Sequence, residues 1–307
     1  MSLYIKRTIC RLCAKSGWNW LTIQDFLFSF LFLFLPIYVR VGVRSLSSFS
    51  TSASFAMAEE PLHNIIRYGL EDENGLYLGT SSASYANSFV EAAFSNQDVK
   101  TLASEAAVAL NLWGYVVHEL YEMVGNCKNK QLTDEDGIQS LDEAVAYYIG
   151  DSQQSGDSET GHLLYALAER MGEEFKTDTG SMEQSKANLR LMQLFNEAKS
   201  ELSFPDACSS SSSTHKKLRT IVHRIVPQMT IPLVQSLIYN LYNNDHERVK
   251  LYAQAVVPLV AGCNPSMHSF LKEGLLRPDH FKIARAGDYI KVKPFCILLF
   301  VFVCVKI

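Results

Sequence analysis

The sequence lacks the short motifs that mark the common catalytic and nucleotide-binding sites. It has no G-x-S-x-G nucleophile elbow, no P-loop, no G-x-G-x-x-G fingerprint and no H-E-x-x-H zinc motif. It also has no N-glycosylation sequon, because the candidate at 264–266 contains the disqualifying Pro265. With no catalytic motif to build on, we predict a protein that is not an enzyme.

Basic residues are scarce over the first part of the chain's main body. Residues 59–206 carry 26 acidic and 9 basic residues, whereas residues 207–287 carry 4 acidic and 10 basic ones. Nucleic-acid binding needs Lys and Arg against phosphates, so we expect no nucleic-acid partner. Carboxylates suit hard cations instead. The simpler alternative is a solvated acidic face that aids solubility.

Residues 1–58 have the composition of a leader. They contain a single acid, Asp25, then an apolar run, and then an Arg- and Ser-rich stretch that ends in an A-x-A cleavage site at Ala56–Ala58. We interpret them as a signal peptide, a bipartite transit leader or a signal anchor. The expected location is secreted, periplasmic or at the cell surface, with a plastid or endomembrane compartment as the alternative. Met57 as the true start is a further interpretation.

Residues 288–307 form an apolar C-terminal tail. Its uninterrupted apolar part, Phe295–Val305, is about half as long as a membrane-spanning helix needs to be. Small residues, a polar spacer and an apolar end are typical of a lipid-anchor attachment signal, which would hold the protein at a membrane. A buried strand and a gene-model artefact are the alternatives.

Apolar residues recur three or four positions apart through the body, which is typical of helices that face a core. The longest such stripe comprises Val99, Leu102, Ala106, Leu110, Trp113, Val117, Leu120 and Val124. We predict helices at 82–95, 99–124, 140–149, 161–175, 181–202, 216–226, 230–244, 247–261 and 265–275. Strand-like alternation is scarce, so the predicted fold is an all-α bundle of about eight helices.

Several residues are suited to begin or end these helices. Two S-x-x-E/Q stretches, Ser140–Glu143 and Ser181–Gln184, match the capping box. Thr230 is a candidate N-cap, and Gly150 can end a helix in the left-handed conformation.

A Ser-rich segment at 204–215 coincides with the change in charge. It therefore predicts a boundary between an acidic helical subdomain (59–206) and a basic one (207–287) that packs on it. The body holds three cysteines, Cys127, Cys208 and Cys263. In a secreted protein two of them can pair, and the sequence does not choose which.

Several stretches of the body carry a family resemblance. These are Leu141–Ala146 with Gly150, Leu163–Ala168, Leu237–Asp245 and Leu251–Ser266. In this order they resemble the algal iron-assimilation proteins, which are the low-iron-induced periplasmic proteins of green algae and the related phytotransferrins of diatoms. The resemblance covers roughly residues 60 to 276. It implies capture of iron(III) for uptake, together with a carbonate anion.

The first candidate ligands lie near the end of the longest predicted helix. His118 and Glu122 are four residues apart, and Glu119 and Glu122 are three apart, so their side chains share neighbouring positions. Carboxylates and imidazole suit iron. A carboxylate is disfavoured at a helix C-terminus, which hints at a second role, although exposed glutamates are common there.

Two further sets offer carboxylate and phenol oxygens. Asp142, Glu143 and Tyr147 lie on one predicted helix, and Tyr165 lies four residues before Glu169 on the next. Iron(III) is a hard Lewis acid, so phenolate is a sensible ligand. The alternatives are that Asp142 and Glu143 cap their helix, that the tyrosines pack in the core, and that the acids form a solvated face.

The carbonate that the resemblance implies needs a cation beside the metal. Lys217 and Arg224, in the basic part of the chain, are the candidates, with charge balance against the acidic part as the plain alternative. We therefore expect a non-enzymatic iron(III)-binding protein. The alternative is a helical protein–protein interaction module that binds no metal, in which the acidic and basic parts are docking faces.

Overall fold

The computed structural model describes residues 76–81, 84–95, 102–129, 136–179, 184–204, 206–209, 212–261 and 264–276, all within one compact unit. The predicted leader and the predicted apolar tail lie outside these residues. None of the helices that the structure describes is both long and apolar enough to cross a membrane.

Helices make up almost all of the described chain. They are α1 (Tyr85–Ser95), α2 in three consecutive parts (Leu102–Ala106, a π-helical Ala107–Leu112 and Trp113–Lys128), α3 (Asp136–Ile149), α4 (Leu164–Phe175), α5 (Lys186–Leu202), α6 (Thr214–Asn243), α7 (His246–Val260) and α8 (Pro265–Leu271), which continues as a π-helical turn, Lys272–Leu276. Two short antiparallel strands, β1 (Leu76–Tyr77) and β2 (Thr80–Ser81), precede them. The prediction of an all-α bundle of about eight helices is confirmed.

Helix α6 lies at the centre of the bundle. It packs against α2, α4, α5 and α7, and Leu218, Ile225, Leu233 and Leu237 along its length are fully buried. One core extends from α1 to the end of the described chain. The helices before and after the Ser-rich segment therefore share a core, and the division into an acidic and a basic subdomain stays a prediction.

α6 is one helix where the sequence predicted two. It runs through Pro227 and Pro232, and the expected N-cap Thr230 lies inside it, donating its hydroxyl to the Val226 carbonyl at 2.8 Å. A proline inside a helix costs about 3 kcal/mol. Ile225, Met229 and Leu233, which lie near the two prolines, are buried in the core. The free energy gained by burying these side chains outweighs the cost of the two prolines. A prediction made from the local sequence of each helix does not include this packing.

The predicted capping box at Ser140–Glu143 does not form, and Ser181 of the other predicted box lies outside the described residues. α3 begins at Asp136, which leaves Ser140 buried inside the helix, and α5 begins at Lys186. Its N-cap is Ser185, whose side chain accepts a hydrogen bond from the Asn188 N–H. The prediction for Gly150 is confirmed, because it follows α3 with a φ of +85°. A Cβ at that position would lie 2.8 Å from Leu163 Cγ.

A disulfide joins Cys127 to Cys208. Cys127 lies in the last turn of α2, and Cys208 lies in the segment between α5 and α6. Both residues are buried in the core. The bond therefore ties the end of α2 to the region where the chain changes from acidic to basic.

Candidate metal centre

The last part of α2 supplies three side chains that lie close together. Val117, Leu120 and Val124 of the predicted stripe are buried, which orients the helix against its neighbours. His118, Glu119 and Glu122 lie beside that stripe, and we call them the carboxylate–histidine cluster. Helical spacing brings residues three and four apart onto adjacent positions, so the cluster follows directly from the sequence.

The ligand atoms of the cluster are within metal-binding distance of one another. One imidazole nitrogen and one carboxylate oxygen from each glutamate all lie within 4.8 Å of one another. His118 Nε2 and Glu122 Oε2 are 3.7 Å apart. Ligand atoms bound to a common ion at about 2.0–2.2 Å are separated by no more than roughly 4.4 Å, so a small movement of these side chains would suffice.

The cluster extends from the interior to the solvent. Glu119 is only 5% exposed, whereas the side chains of His118 and Glu122 are 14% and 37% exposed. A cation would therefore meet Glu122 first and reach Glu119 last. In the described part of the chain, neither glutamate forms an ion pair with a lysine or an arginine.

Burial raises the pKa of Glu119 to about 7. The negative charges of Glu143 and Glu122 raise it further, while a hydrogen bond from Tyr115 and the charge of His118 act in the opposite direction. A carboxyl group in this environment is costly to ionise without a nearby positive charge. A bound cation would supply that charge.

α3 adds a second carboxylate and two aromatic rings to this region. The Tyr115 hydroxyl donates its proton to Glu143 Oε2 at 3.1 Å, and hydrogen bonding by the same hydroxyl lowers the pKa of Glu119, so the phenol group lies near both carboxylates. The ring of Tyr147 packs edge-on against that of Tyr115, with the centroids 5.1 Å apart. The structure thus brings Glu143 and Tyr147 to the carboxylate–histidine cluster.

Tyr115 did not feature in the prediction, although the sequence carries a signal for it. It precedes Glu119 by four residues and His118 by three on the same helix, the spacing that places side chains side by side. Its ring centroid lies 6.2 Å from that of His118. Its hydroxyl donates a hydrogen bond to the Glu143 carboxylate of this region.

Asp142 and Tyr165 lie in other surroundings. Burial raises the pKa of Asp142 to about 6, opposed by the positive charge of Lys199 on α5. The hydroxyl of Tyr165 accepts a hydrogen bond of 2.8 Å from Gln184 Nε2, in a buried network around Glu169. These partners account for both side chains without a metal ion.

Lys217 and Arg224 each pair with a carboxylate of α5. Lys217 Nζ lies 3.0 Å from Glu201, and Arg224 Nη1 lies 2.9 Å from Glu197. Both pairs are partly exposed, so each contributes at most about 1 kcal/mol. The contacts agree with the alternative of charge balance between the acidic and basic parts, and a role in holding an anion stays a prediction.

The donor set suits a hard or borderline cation. Two carboxylates and one imidazole are ligands typical of iron, manganese and zinc sites, and the neighbouring phenol adds a donor that iron(III) favours. Three protein ligands leave coordination positions open for water or a small anion. Comparison with family models, with curated proteins and with solved structures finds no match for this chain.

Proposed function

We propose that the protein binds iron(III) without catalysing a reaction, as a step in iron assimilation. The observation that supports this most strongly is the meeting of His118, Glu119 and Glu122 within 4.8 Å. The resemblance of the sequence to algal iron-assimilation proteins supplies the choice of iron. In this proposal the two glutamates and the imidazole are the ligands, and iron is the cargo of the protein.

The charge around the site favours a highly charged cation. The negative charges of Glu143 and Glu122 raise the pKa of Glu119. A trivalent ion neutralises three carboxylates. Binding then replaces repulsion among neighbouring carboxylates with attraction to the cation, and releases a proton from Glu119 whenever that group is protonated.

Tyr115 is the phenol that we place nearest to the iron. A phenolate bound to iron(III) gives a charge-transfer band in the visible spectrum. We expect this band to weaken more in Tyr115→Phe than in Tyr147→Phe, because the Tyr115 hydroxyl donates to Glu143 and influences the pKa of Glu119 in the cluster. If the band is lost only in Tyr147→Phe, then Tyr147, and not Tyr115, is the phenol that binds the iron.

The proposed location is the cell surface, the periplasm or the exterior, with a plastid or endomembrane compartment as the alternative. The disulfide between Cys127 and Cys208 supports an oxidising compartment, because such bonds are rare where thiols are kept reduced. Carbonate as a co-bound anion remains part of the proposal, and it would occupy a position that the protein ligands leave open.

Equilibrium dialysis against iron(III) nitrilotriacetate, with and without bicarbonate, tests the proposal. We expect binding that bicarbonate strengthens. Glu122→Gln should bind iron at least about tenfold more weakly, judged from the 10–100-fold effects of changes even beyond the ligands. Glu174→Gln, at an exposed glutamate of α4, is the matched control and should behave as the wild type. A folded wild type that takes up no iron would favour the alternative of a metal-free interaction module.

A further inference from the structure

A cavity lies among four helices of the bundle. It has a volume of about 820 Å³ and is lined by residues of α2, α4, α6 and α7, none of which belongs to the carboxylate–histidine cluster. Pockets that hold small molecules typically measure about 300–1,000 Å³. Leu167 and Met171 of α4 give it a buried apolar surface. A small molecule with an apolar part would fit this space.

One part of the cavity lining carries excess negative charge. Arg248 donates from Nε to Glu105 Oε2 at 3.0 Å and from Nη1 to Asp245 Oδ2 at 2.8 Å. The hydroxyl of Tyr252 donates to the other oxygen of Glu105. Two carboxylates therefore share one guanidinium, which leaves a local charge of −1 on side chains that are held in place by several hydrogen bonds.

α4 contributes a positive charge to the same cavity. Arg170 lines it and, among the residues that the structure describes, forms no ion pair or hydrogen bond. Its positive charge affects the pKa of Tyr252, which lines the same cavity. Burial raises the pKa of Tyr252 well above its usual value, as does the nearby Glu105, and Arg170 acts in the opposite direction. The cavity thus holds a surplus negative charge and an uncommitted positive one on different helices.

We infer that this cavity binds a small zwitterion, namely an α-amino acid with an apolar side chain. Arg170 would take the carboxylate, the carboxylates of Glu105 and Asp245 would take the ammonium group, and the side chain would lie against Leu167 and Met171. A simple anion would be repelled by the two carboxylates, and a simple cation would be repelled by Arg170. A zwitterion satisfies both charges and leaves the cavity neutral.

Isothermal titration calorimetry with three compounds of the same shape tests this inference. They are phenylalanine, 3-phenylpropionic acid, which lacks the ammonium group, and 2-phenylethylamine, which lacks the carboxylate. We expect phenylalanine to bind roughly tenfold or more tightly than either analogue, because each loses one charged hydrogen-bonded contact. An analogue that binds as tightly as phenylalanine, or the absence of binding by phenylalanine at millimolar concentration, would overturn the inference.

Arg170→Gln locates the carboxylate. It should weaken binding of phenylalanine and of 3-phenylpropionic acid by a similar factor, about tenfold, and it should not weaken binding of 2-phenylethylamine, because the positive charge that disfavours a cation is removed. Arg190→Gln is the matched control, since this α5 arginine lies outside the cavity and bonds Gln193. Equal effects of the two substitutions would contradict the assigned role. Because no residue is shared with the carboxylate–histidine cluster, iron uptake should be unaffected in both variants whatever the outcome.

Discussion

Asn188 donates from Nδ2 to Glu169 Oε1 at 2.7 Å, and both residues are almost fully buried, at 0% and 1% exposure. The other oxygen of Glu169 accepts from the Ser185 N–H, also at 2.7 Å. Asn188 further donates to the Tyr165 carbonyl and accepts from the Tyr148 hydroxyl. One amide therefore joins α3, α4 and α5, and it satisfies a carboxyl group that would be costly to bury alone.

Asn188→Ala should destabilise the fold by about 3 kcal/mol, because it removes a hydrogen-bond partner from the buried Tyr148 hydroxyl on α3 and from the buried Glu169 carboxyl group on α4. Urea unfolding followed by circular dichroism measures this. Asn196→Ala, at an exposed position of the same helix, is the control and should change the stability by less than about 0.5 kcal/mol. Similar losses in both variants would show that the network contributes little.

The apolar stripe of α2 could be predicted, because apolar residues three or four positions apart indicate which face of a helix is buried. Each of its described members, from Leu102 to Val124, is buried. The continuity of α6 could not be predicted, because a proline such as Pro227 or Pro232 normally indicates the end of a helix. The packing that keeps α6 continuous involves helices that are distant in sequence. The start of α3 was also predicted wrongly. Ser140 matches the sequence pattern of a capping box, but it is buried inside the helix.

The part of the candidate site that lies on one helix was also predictable. His118, Glu119 and Glu122 meet through helical spacing alone. Glu143 and Tyr147 of α3 were among the predicted candidates, but the sequence could not separate them from Asp142, because residues on one helix cannot be sorted by face until the neighbouring helix is placed. Glu143 points to Tyr115, whereas its neighbour Asp142 is near Lys199. No sequence periodicity distinguishes the two acids.

The disulfide should contribute strongly to stability. The cysteines are 81 residues apart, and closing a loop of this length in the unfolded chain is worth about 4 kcal/mol in the chain-entropy account. Replacing both Cys127 and Cys208 by alanine should lower the free energy of unfolding by about 2–4 kcal/mol, as measured by urea titration. Peptide mapping without reductant should recover the two residues in one linked peptide, and a different pairing would contradict the structure.

Asp142→Asn should stabilise the protein in a pH-dependent way. Burial raises the pKa of this carboxyl group from 3.8 to about 6, so between these values the folded state binds more protons than the unfolded state. The stability of the wild type therefore falls as the pH rises through this window. Since the side chain is partly exposed, we expect the variant to gain about 1–2 kcal/mol at pH 8 and almost nothing at pH values about one unit below the unfolded-state pKa of 3.8. A gain that is independent of pH would contradict this.

The most direct measurement of the central claim is an iron(III) titration of Glu119→Gln beside Asp142→Asn. Both substitutions replace a partly or fully buried carboxylate by its amide, but only Glu119 belongs to the carboxylate–histidine cluster. We predict that Asp142→Asn binds iron as the wild type does and that Glu119→Gln binds at least about tenfold more weakly while remaining folded. A wild type that binds no iron, or a Glu119→Gln variant that matches it, would contradict the account.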